Sequence, residues 1–180
     1  CTYGLYGGDI KESGLSYILN DKHLVHFQNI SEDITKNAYA TYIMSLIDLA
    51  YPDGEPIATW YDKLLTGLQL IDQGFDEQNI TNIFEVQLLN AYGVAPNWVD
   101  CTICHRTDLP FDYSEAYGGL LCQNHWNKDP YRMHLDARTI YYLRLFSVVD
   151  LSKLTHIKVN DRTKKALREV LDQIYSRSVG

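Results

Sequence analysis

The sequence predicts a mainly α-helical protein, in which a helical bundle domain at residues 31–180 carries an inserted module at 98–127 and follows β-strands at 1–30. Three observations predict this fold class. Apolar residues recur at three- and four-residue steps over most of residues 31–180, as they do along amphipathic helices. Two pairs of cysteine and histidine residues interrupt this pattern between Cys101 and His125. Residues 1–30 instead contain short alternating runs punctuated by glycine.

Residues 1–30 read as the last strands of a sheet. Leu15, Tyr17 and Leu19 alternate with their neighbours, and residues 23–27 form a second β-prone run. Residues 20–22 provide a plausible turn between the two runs. Because an isolated hairpin is marginal in water, we expect its partner strands to lie upstream of residue 1.

Helix-capping residues divide the helical part. Three helices precede the inserted module and two follow it, and the segment 151–157 is ambiguous. Carboxylates in a first turn and glycine after a last turn are the expected boundary signals. On the first helix, the row Ile34, Ala38, Tyr42 and Leu46 is predicted to face the core. The predicted boundaries are Ser31 and Pro52, Pro56 and Gly74, and Asp76 and Gly93 for the first three helices, then N-caps at Asp136 and at Asn160 or Asp161 for the last two.

The charge is unevenly distributed along the chain. The formal net charge is −7, of which residues 1–125 contribute −12 and residues 126–180 contribute +5. The overall balance argues against a generic polyanion binder, although the C-terminal third can carry a basic face. No apolar run is long enough to span a membrane, and the cysteine usage predicts a reducing, cytoplasmic compartment. The candidate DNA- or partner-binding residues are Arg132, Arg138, Lys158, Arg162, Lys164, Lys165 and Arg168.

The stretch from Cys101 to His125 has the spacing C-x2-C-x17-C-x2-H. Each pair can point two side chains at one position, and two pairs together supply the tetrahedron of soft ligands that Zn²⁺ prefers. We therefore predict a zinc site with the ligands Cys101, Cys104, Cys122 and His125. Four protein ligands leave no open position for a substrate, and His-x-Glu and His-Glu-x-x-His are both absent. The site is therefore predicted to be structural, with no catalytic residues.

Two alternatives concern the first half of this motif. Cys101 and Cys104 followed by His105 match a c-type haem attachment pattern, but that use leaves Cys122 and His125 without a role. His105 is also a possible substitute for His125 as the fourth ligand. In the intervening loop, Gly118 and Gly119 allow a tight turn that returns Cys122 to the first pair. Phe111 and Tyr113 are expected to pack over the metal module, which should clamp the flanking helices.

Taken together, these residues resemble the RecO family of bacterial recombination-mediator proteins. The resemblance rests on the helix end Phe84-Glu85-x-x-Leu88-Leu89-x-x-x-Gly93-x-x-Pro96, followed by the two ligand pairs with Phe111-Asp112 and Gly118-Gly119 between them. It implies that residues 1–30 are the C-terminal strands of an incomplete OB-fold. Some relatives have four cysteines and others lack the ligands, which implies that zinc is a stabiliser.

The function that the resemblance implies is a non-catalytic DNA repair accessory protein of the RecF pathway. Such proteins bind single- and double-stranded DNA, anneal strands, and act with RecR and the C-terminal tail of single-strand-binding protein to load recombinase. No membrane partner is expected. The alternative hypothesis is a zinc-stabilised helical scaffold that binds an acidic and apolar peptide without contacting DNA. For this chain taken alone, peptide or protein binding ranks above direct DNA binding.

Overall fold

The computed structural model describes the backbone at residues 6–7, 16–20, 23–51 and 58–179, and the side chains at 27–51 and 60–179. The chain divides into two compact units, one comprising Cys1–Glu85 with Asp150–Ile157 and the other Val86–Val149 with Lys158–Gly180. Helices predominate in the described ranges, which confirms the predicted mainly α fold. No described helix has the length and apolar character needed to cross a bilayer. The boundary between residues 1–30 and 31–180 stays a prediction.

The first unit begins with a three-stranded antiparallel sheet. Its strands are β1 (Tyr6–Gly7), β2 (Ser16–Asn20) and β3 (His23–His26), in the order β1-β2-β3. The register between β2 and β3 shifts between Ile18 and Asn20. The two predicted runs are therefore paired strands, while the turn positions 21 and 22 lie outside the described residues. That these strands belong to an OB-fold stays a prediction.

Two helices follow the sheet, α1 (Gln28–Glu32) and α2 (Ile34–Ala50). The prediction that Ser31 caps the first long helix is wrong. Ser31 lies within α1, and Asp33 caps α2 by accepting hydrogen bonds from the backbone nitrogens of Thr35 at 2.9 Å and Lys36 at 3.1 Å. Asp33 has the extended backbone that an N-cap requires, with φ −113° and ψ 115°.

The buried face of α2 differs from the predicted row. Ile34 is 89% exposed and Tyr42 is 40% exposed, although both were expected to face the core. Apolar residues occupy two adjacent rows of this helix, so the sequence pattern leaves its rotation about the axis ambiguous. The residues of α2 that are buried are Ala40, Ile43, Met44, Leu46 and Ile47.

The next helix, α3 (Ala58–Asp72), ends where predicted. Gly74 has φ 109°, a left-handed conformation in which glycine is favoured, and Phe75 N donates to Leu70 O at 3.0 Å across the turn. The carboxylate of Asp72 accepts hydrogen bonds from the backbone of α1, at Asn29 N and Ile30 N. The predicted start at Pro56 lies outside the described residues. The ambiguous segment after residue 150 forms a short 3-10 helix, Leu151–Lys153, within the first unit.

Helix α4 (Glu77–Ala91) contains the point at which the two units divide. In the first unit, Gly67 of α3 lies against Phe84, whose ring would be 2.4 Å from a Cβ at that glycine. In the second unit, Gly93 ends α4 as predicted, with φ 74° and a bond from Val94 N to Leu89 O.

The second unit continues with a hairpin and two helices. The strands β4 (Phe111–Ser114) and β5 (Gly119–Cys122) are antiparallel, and the 3-10 helix Gln123–Lys128 follows them. Asp136 caps α5 (Ala137–Val148), and Asn160 caps α6 (Asp161–Ser178) by accepting from Thr163 N at 2.8 Å. The predicted N-cap at Asp136 is confirmed. Of the two residues predicted as N-cap of the last helix, Asn160 is the cap and Asp161 is the first helical residue. The buried residues of α6 are Thr163, Leu167, Val170, Leu171 and Ile174.

Candidate functional site

The four predicted ligands lie together in the second unit. Sulfur and nitrogen atoms of Cys101, Cys104, Cys122 and His125 all fall within 4.8 Å of one another. The Sγ atoms of Cys104 and Cys122 are 3.7 Å apart, and Nδ1 of His125 is 3.3 Å from Cys122 Sγ and 3.7 Å from Cys101 Sγ. A tetrahedron with zinc–sulfur bonds of about 2.3 Å has edges of about 3.8 Å between sulfurs and roughly 3.6 Å from sulfur to nitrogen. The cluster therefore has the size and donor set of a tetrahedral metal site.

A tight knuckle holds the first ligand pair. His105 N donates to Cys101 O at 2.9 Å, and Cys101 N donates to Arg106 O at 3.0 Å, so the chain turns directly around the cysteines. Thr102 N donates to Leu120 O at 2.9 Å, which fastens the knuckle to β5. The two ligand pairs are consequently held in register by backbone hydrogen bonds.

The β4–β5 hairpin positions the second pair. Phe111 lies opposite Cys122 and Ser114 opposite Gly119, with the turn between them closed by Gly118 at φ 68°. Gly119 lies against the backbone of Asn97, because a Cβ at this position would be 2.6 Å from Asn97 O. The two glycines thus act differently, Gly118 through its backbone conformation and Gly119 through its lack of a side chain.

The electrostatics of the cluster favour a thiolate. Burial disfavours the Cys101 thiolate, but hydrogen bonds from the backbone of Cys104, Cys122 and Ile103, with the His125 side chain, lower its pKa to about 6. Burial and the adjacent cysteines raise the pKa of Cys122. A divalent cation would stabilise all three thiolates, since thiolate is the form that ligates metal.

His105 takes no part in the cluster. Its Nδ1 is 3.3 Å from Asp100 Oδ2, and its side chain is 71% exposed. The haem alternative required Cys101 and Cys104 to act separately from Cys122 and His125, whereas the structure brings the four together. The geometry therefore favours the Cys3His set over both alternatives.

The aromatic residues of β4 pack beside the cluster's supporting loop. Tyr113 stacks on Trp98 with ring centroids 5.2 Å apart, and its burial raises its pKa. Phe111 lies under the guanidinium of Arg144, which is 4.9 Å from the ring centroid. Arg144 of α5 also donates to Trp98 O and Val99 O, each at 3.0 Å. Within the second unit, α5 and the metal module are therefore joined through one arginine.

Asp112 is a buried carboxylate that organises the loop after the cluster. Its Oδ2 is 3.1 Å from Arg132 Nε, and its two oxygens accept from His134 N and Leu135 N at 2.9 Å each. Arg132 also donates to Trp126 O and lies over the Trp126 ring. Arg132, predicted to contact DNA, is thus engaged by the protein itself.

The other predicted basic residues lie mainly on α5 and α6. Hydrogen bonds from Thr139 lower the pKa of Asp136, and the nearby charges of Arg162 and Arg138 lower it further, so these two arginines flank one N-cap. Arg168 is paired with Asp172 one turn away, at 2.9 Å. Lys158 and Lys165 are exposed, and Lys164 is half-buried.

A groove around Arg144 is the feature that the sequence did not indicate. Two adjoining cavities of about 280 Å³ and 350 Å³ share Tyr141 and Arg144 as lining residues. Val99, Tyr141 and Val148 beside them are 66%, 59% and 74% exposed. Among the described side chains, no carboxylate pairs with Arg144. Arginine flanking an apolar stripe is common on helices, so no sequence signal identified this residue.

These features define a class of protein, namely a mainly helical domain with a compact Cys3His module that could hold a metal ion. A family model described as "Recombination protein O C terminal" matches residues 31–180. The chain is 55% identical to the DNA repair protein RecO of Levilactobacillus brevis, over 99% of this chain and 69% of that protein. It is 53% identical to the RecO of Latilactobacillus sakei, over 99% of this chain and 66% of that protein, and 52% identical to that of Lactiplantibacillus plantarum, over 99% and 69%.

The chain belongs to the RecO family of DNA repair proteins. It spans about two thirds of the length of these relatives. The family resemblance drawn from the helix end and the two ligand pairs is thereby confirmed.

Proposed function

We propose that this protein is a non-catalytic accessory factor of DNA repair in the bacterial cytoplasm, working at repair sites on the nucleoid. It binds single- and double-stranded DNA and the partner proteins RecR and single-strand-binding protein, and it promotes strand annealing and recombinase loading in the RecF pathway. The observation that carries this proposal is the family relationship, which extends over 99% of the chain at 55% identity to a named DNA repair protein.

In this proposal the Cys3His cluster holds zinc as a structural ion. The donor set supports zinc because three sulfurs and one imidazole nitrogen are its preferred ligands. Four protein ligands close the coordination sphere, which argues against catalysis at the metal. Since the module is joined to α5 through Arg144, binding of the ion stabilises the surface that α5 presents.

The partner site that we propose in the second unit is the Arg144 groove, and its occupant is the acidic and apolar C-terminal tail of single-strand-binding protein. Arginine binds carboxylates through the planar fork of its guanidinium group. Nε and one terminal nitrogen of Arg144 already donate to two backbone carbonyls, so its remaining N–H groups are held in place and lose little entropy on binding a carboxylate. Exposed Val99, Tyr141 and Val148 supply apolar contacts around it. The charge and the apolar surface therefore complement such a tail.

The tail proposal is tested by titrating the chain with a fluorescein-labelled peptide of acidic residues followed by apolar C-terminal residues. Val148→Asp places a negative charge in the groove at a position 74% exposed, so it should weaken binding at least tenfold without unfolding the protein. The control is Leu49→Asp, which makes the same change at an exposed apolar position of α2, at 63% exposure. Equal binding by the two variants would remove the groove from consideration.

DNA contact is proposed for the basic residues of α5 and α6. Charge reversal at Lys164 and Lys165 should weaken binding of duplex and single-stranded oligonucleotides and reduce the salt dependence of the affinity. Unchanged affinity at low salt would exclude this face. The second candidate function is a scaffold that binds the acidic peptide without touching DNA, which the Arg144 groove favours. A salt series with DNA and with peptide separates the two, because the scaffold binds the peptide alone.

A further inference from the structure

The loop between the metal module and α5 presents an aromatic side chain for which the fold gives no packing role. Tyr131 is 92% exposed, the highest exposure of any large apolar or aromatic side chain in the described part of the chain. Lys128, the last residue of the preceding 3-10 helix, and His134 lie three residues to either side of Tyr131 in the sequence, and both are exposed. An aromatic residue with a cation nearby is a combination that binds unpaired bases, which stack on the ring while the cation contacts a phosphate.

The backbone that carries Tyr131 is held firmly. Asp129 is 5% exposed, and its Oδ1 accepts from Tyr131 N at 2.9 Å while Ser114 Oγ of β4 donates to its other oxygen at 2.5 Å. Met133 N donates to Tyr113 O at 3.0 Å. The exposed ring is thus presented by an ordered backbone, which lowers the entropy lost when a ligand binds.

A second anchor holds the far side of the loop. The buried carboxylate of Asp112 accepts from His134 N and Leu135 N and pairs with Arg132. His134 has φ 55°, a left-handed conformation that is unfavourable for a residue with a side chain. Strained backbone of this kind persists where neighbouring bonds impose it, and it turns the loop back toward α5.

A small cleft lies beside the loop. Its volume is about 180 Å³, and it is lined by Trp126, Arg132, His134 and Leu135 with Asp112. Small-molecule pockets begin at about 300 Å³, so this cleft suits one planar ring rather than a whole small molecule. Arg132, which is paired with Asp112, lies 5.3 Å from the centre of the Trp126 ring, so a guanidinium group and an indole ring form one wall of the cleft.

Positive charge continues from this loop onto the helices. Arg138 in the first turn of α5 and Arg162 in the first turn of α6 each help to lower the pKa of Asp136 by their positive charge. A cation in a first turn gains nothing from the helix dipole. The acidic residues of the loop are directed inward or used as caps, because Asp129 is buried and Asp136 caps α5.

We propose that Tyr131, with Lys128, His134 and the neighbouring cleft, forms a base-stacking platform for single-stranded nucleic acid. This inference rests on the proposed DNA-binding function and assigns it a site that reads unpaired bases by stacking. Duplex DNA hides its base faces and therefore cannot use the platform, so the site distinguishes single strands from duplex. In this platform Lys128 is the cation that contacts a phosphate adjoining the stacked base.

The test measures binding of the 180-residue chain to fluorescein-labelled oligothymidylate and to an abasic oligomer with the same number of phosphates. The protein should bind oligothymidylate about five- to a hundredfold more tightly, since stacking contributes that much per base. Tyr131→Ala should bring the ratio of the two affinities to about one while leaving the affinity for the abasic oligomer unchanged. Tyr131→Trp should retain the ratio of the unchanged protein. Because Tyr131 is 92% exposed, its truncation removes almost no packing.

The matched controls separate stacking from charge. Tyr117→Ala removes an exposed tyrosine of the metal module, at 42% exposure, and should leave the ratio of the two affinities intact. Lys128→Ala should lower the salt slope for a single strand by about 0.7 without changing the ratio. If Tyr131→Ala preserves the ratio, or if the unchanged protein binds both oligomers equally, the platform is excluded. If the unchanged protein binds neither oligomer, the DNA-binding function proposed above fails as well, and exposed Tyr131 would then be a contact for a protein partner.

Discussion

Substituting Gly119 tests how the hairpin supports the metal centre. A Cβ at this position would lie 2.6 Å from Asn97 O and 2.8 Å from Asn97 N, so the backbone of Asn97 must move. That movement weakens two hydrogen bonds, from Asn97 N to Gly118 O at 2.9 Å and from Leu120 N to Asn97 O at 3.1 Å. Overpacking costs about 2 kcal/mol and each weakened bond contributes up to about 1 kcal/mol, which gives about 3 kcal/mol for Gly119→Ala.

This loss should appear as weaker metal binding. The module is too small to bury a core of its own, so folding of the segment and binding of the metal are coupled. A loss of about 3 kcal/mol then lowers the zinc affinity roughly a hundredfold. The assay is competition for zinc against a chromophoric chelator, with thermal unfolding of the zinc-loaded protein as a second readout.

Gly118 provides the matched control for this prediction. It has φ 68°, but a Cβ added there would meet no atom within 4 Å, so Gly118→Ala adds conformational strain without a clash. The expected loss is about 1 kcal/mol, or about fivefold in zinc affinity. Should Gly119→Ala bind zinc as tightly as Gly118→Ala, the close approach to Asn97 would not be what positions β5.

Two further predictions concern the same unit. Removal of the metal with a chelator should lower the melting temperature and expose residues 98–127 to protease. His125→Cys should keep a metal-bound, protected protein, because thiolate replaces imidazole in such sites. An apo-protein as stable as the metal-loaded one would contradict the stabilising role of the metal. Asp112→Asn should destabilise the protein to urea by about 3 kcal/mol, since it leaves Arg132 half-buried without its anion, while Glu115→Gln, which removes the more exposed ion pair with Arg177, should change stability by less than about 1 kcal/mol.

The sequence predicted the parts of this protein that depend on short-range chemistry. The ligand spacing from Cys101 to His125 anticipated the cluster, because the two pairs are each a local turn and the sequence offers one donor set of that kind. The stops at Gly74 and Gly93 were also predictable, since a left-handed residue after a helix strongly favours glycine.

Other features could be decided only by packing. Ile34 and Tyr42 were predicted to be buried, but the rotation of α2 depends on which neighbours cover it, and two apolar rows satisfied the pattern equally well. Ser31 and Asp33 are both good N-caps, and the backbone conformation selected Asp33.

The proposed binding surfaces could also be decided only by packing. In sequence, Arg132 was one basic residue among several, and tertiary structure paired it with buried Asp112. Arg144 and Tyr131 had no distinguishing pattern around them, because a side chain's neighbours and exposure depend on residues distant in sequence. The sequence by itself thus determined the family, most of the helices and the Cys3His cluster, whose causes are local. Only the tertiary structure decided which cations remain available to a partner, since that depends on which carboxylates the fold brings against them.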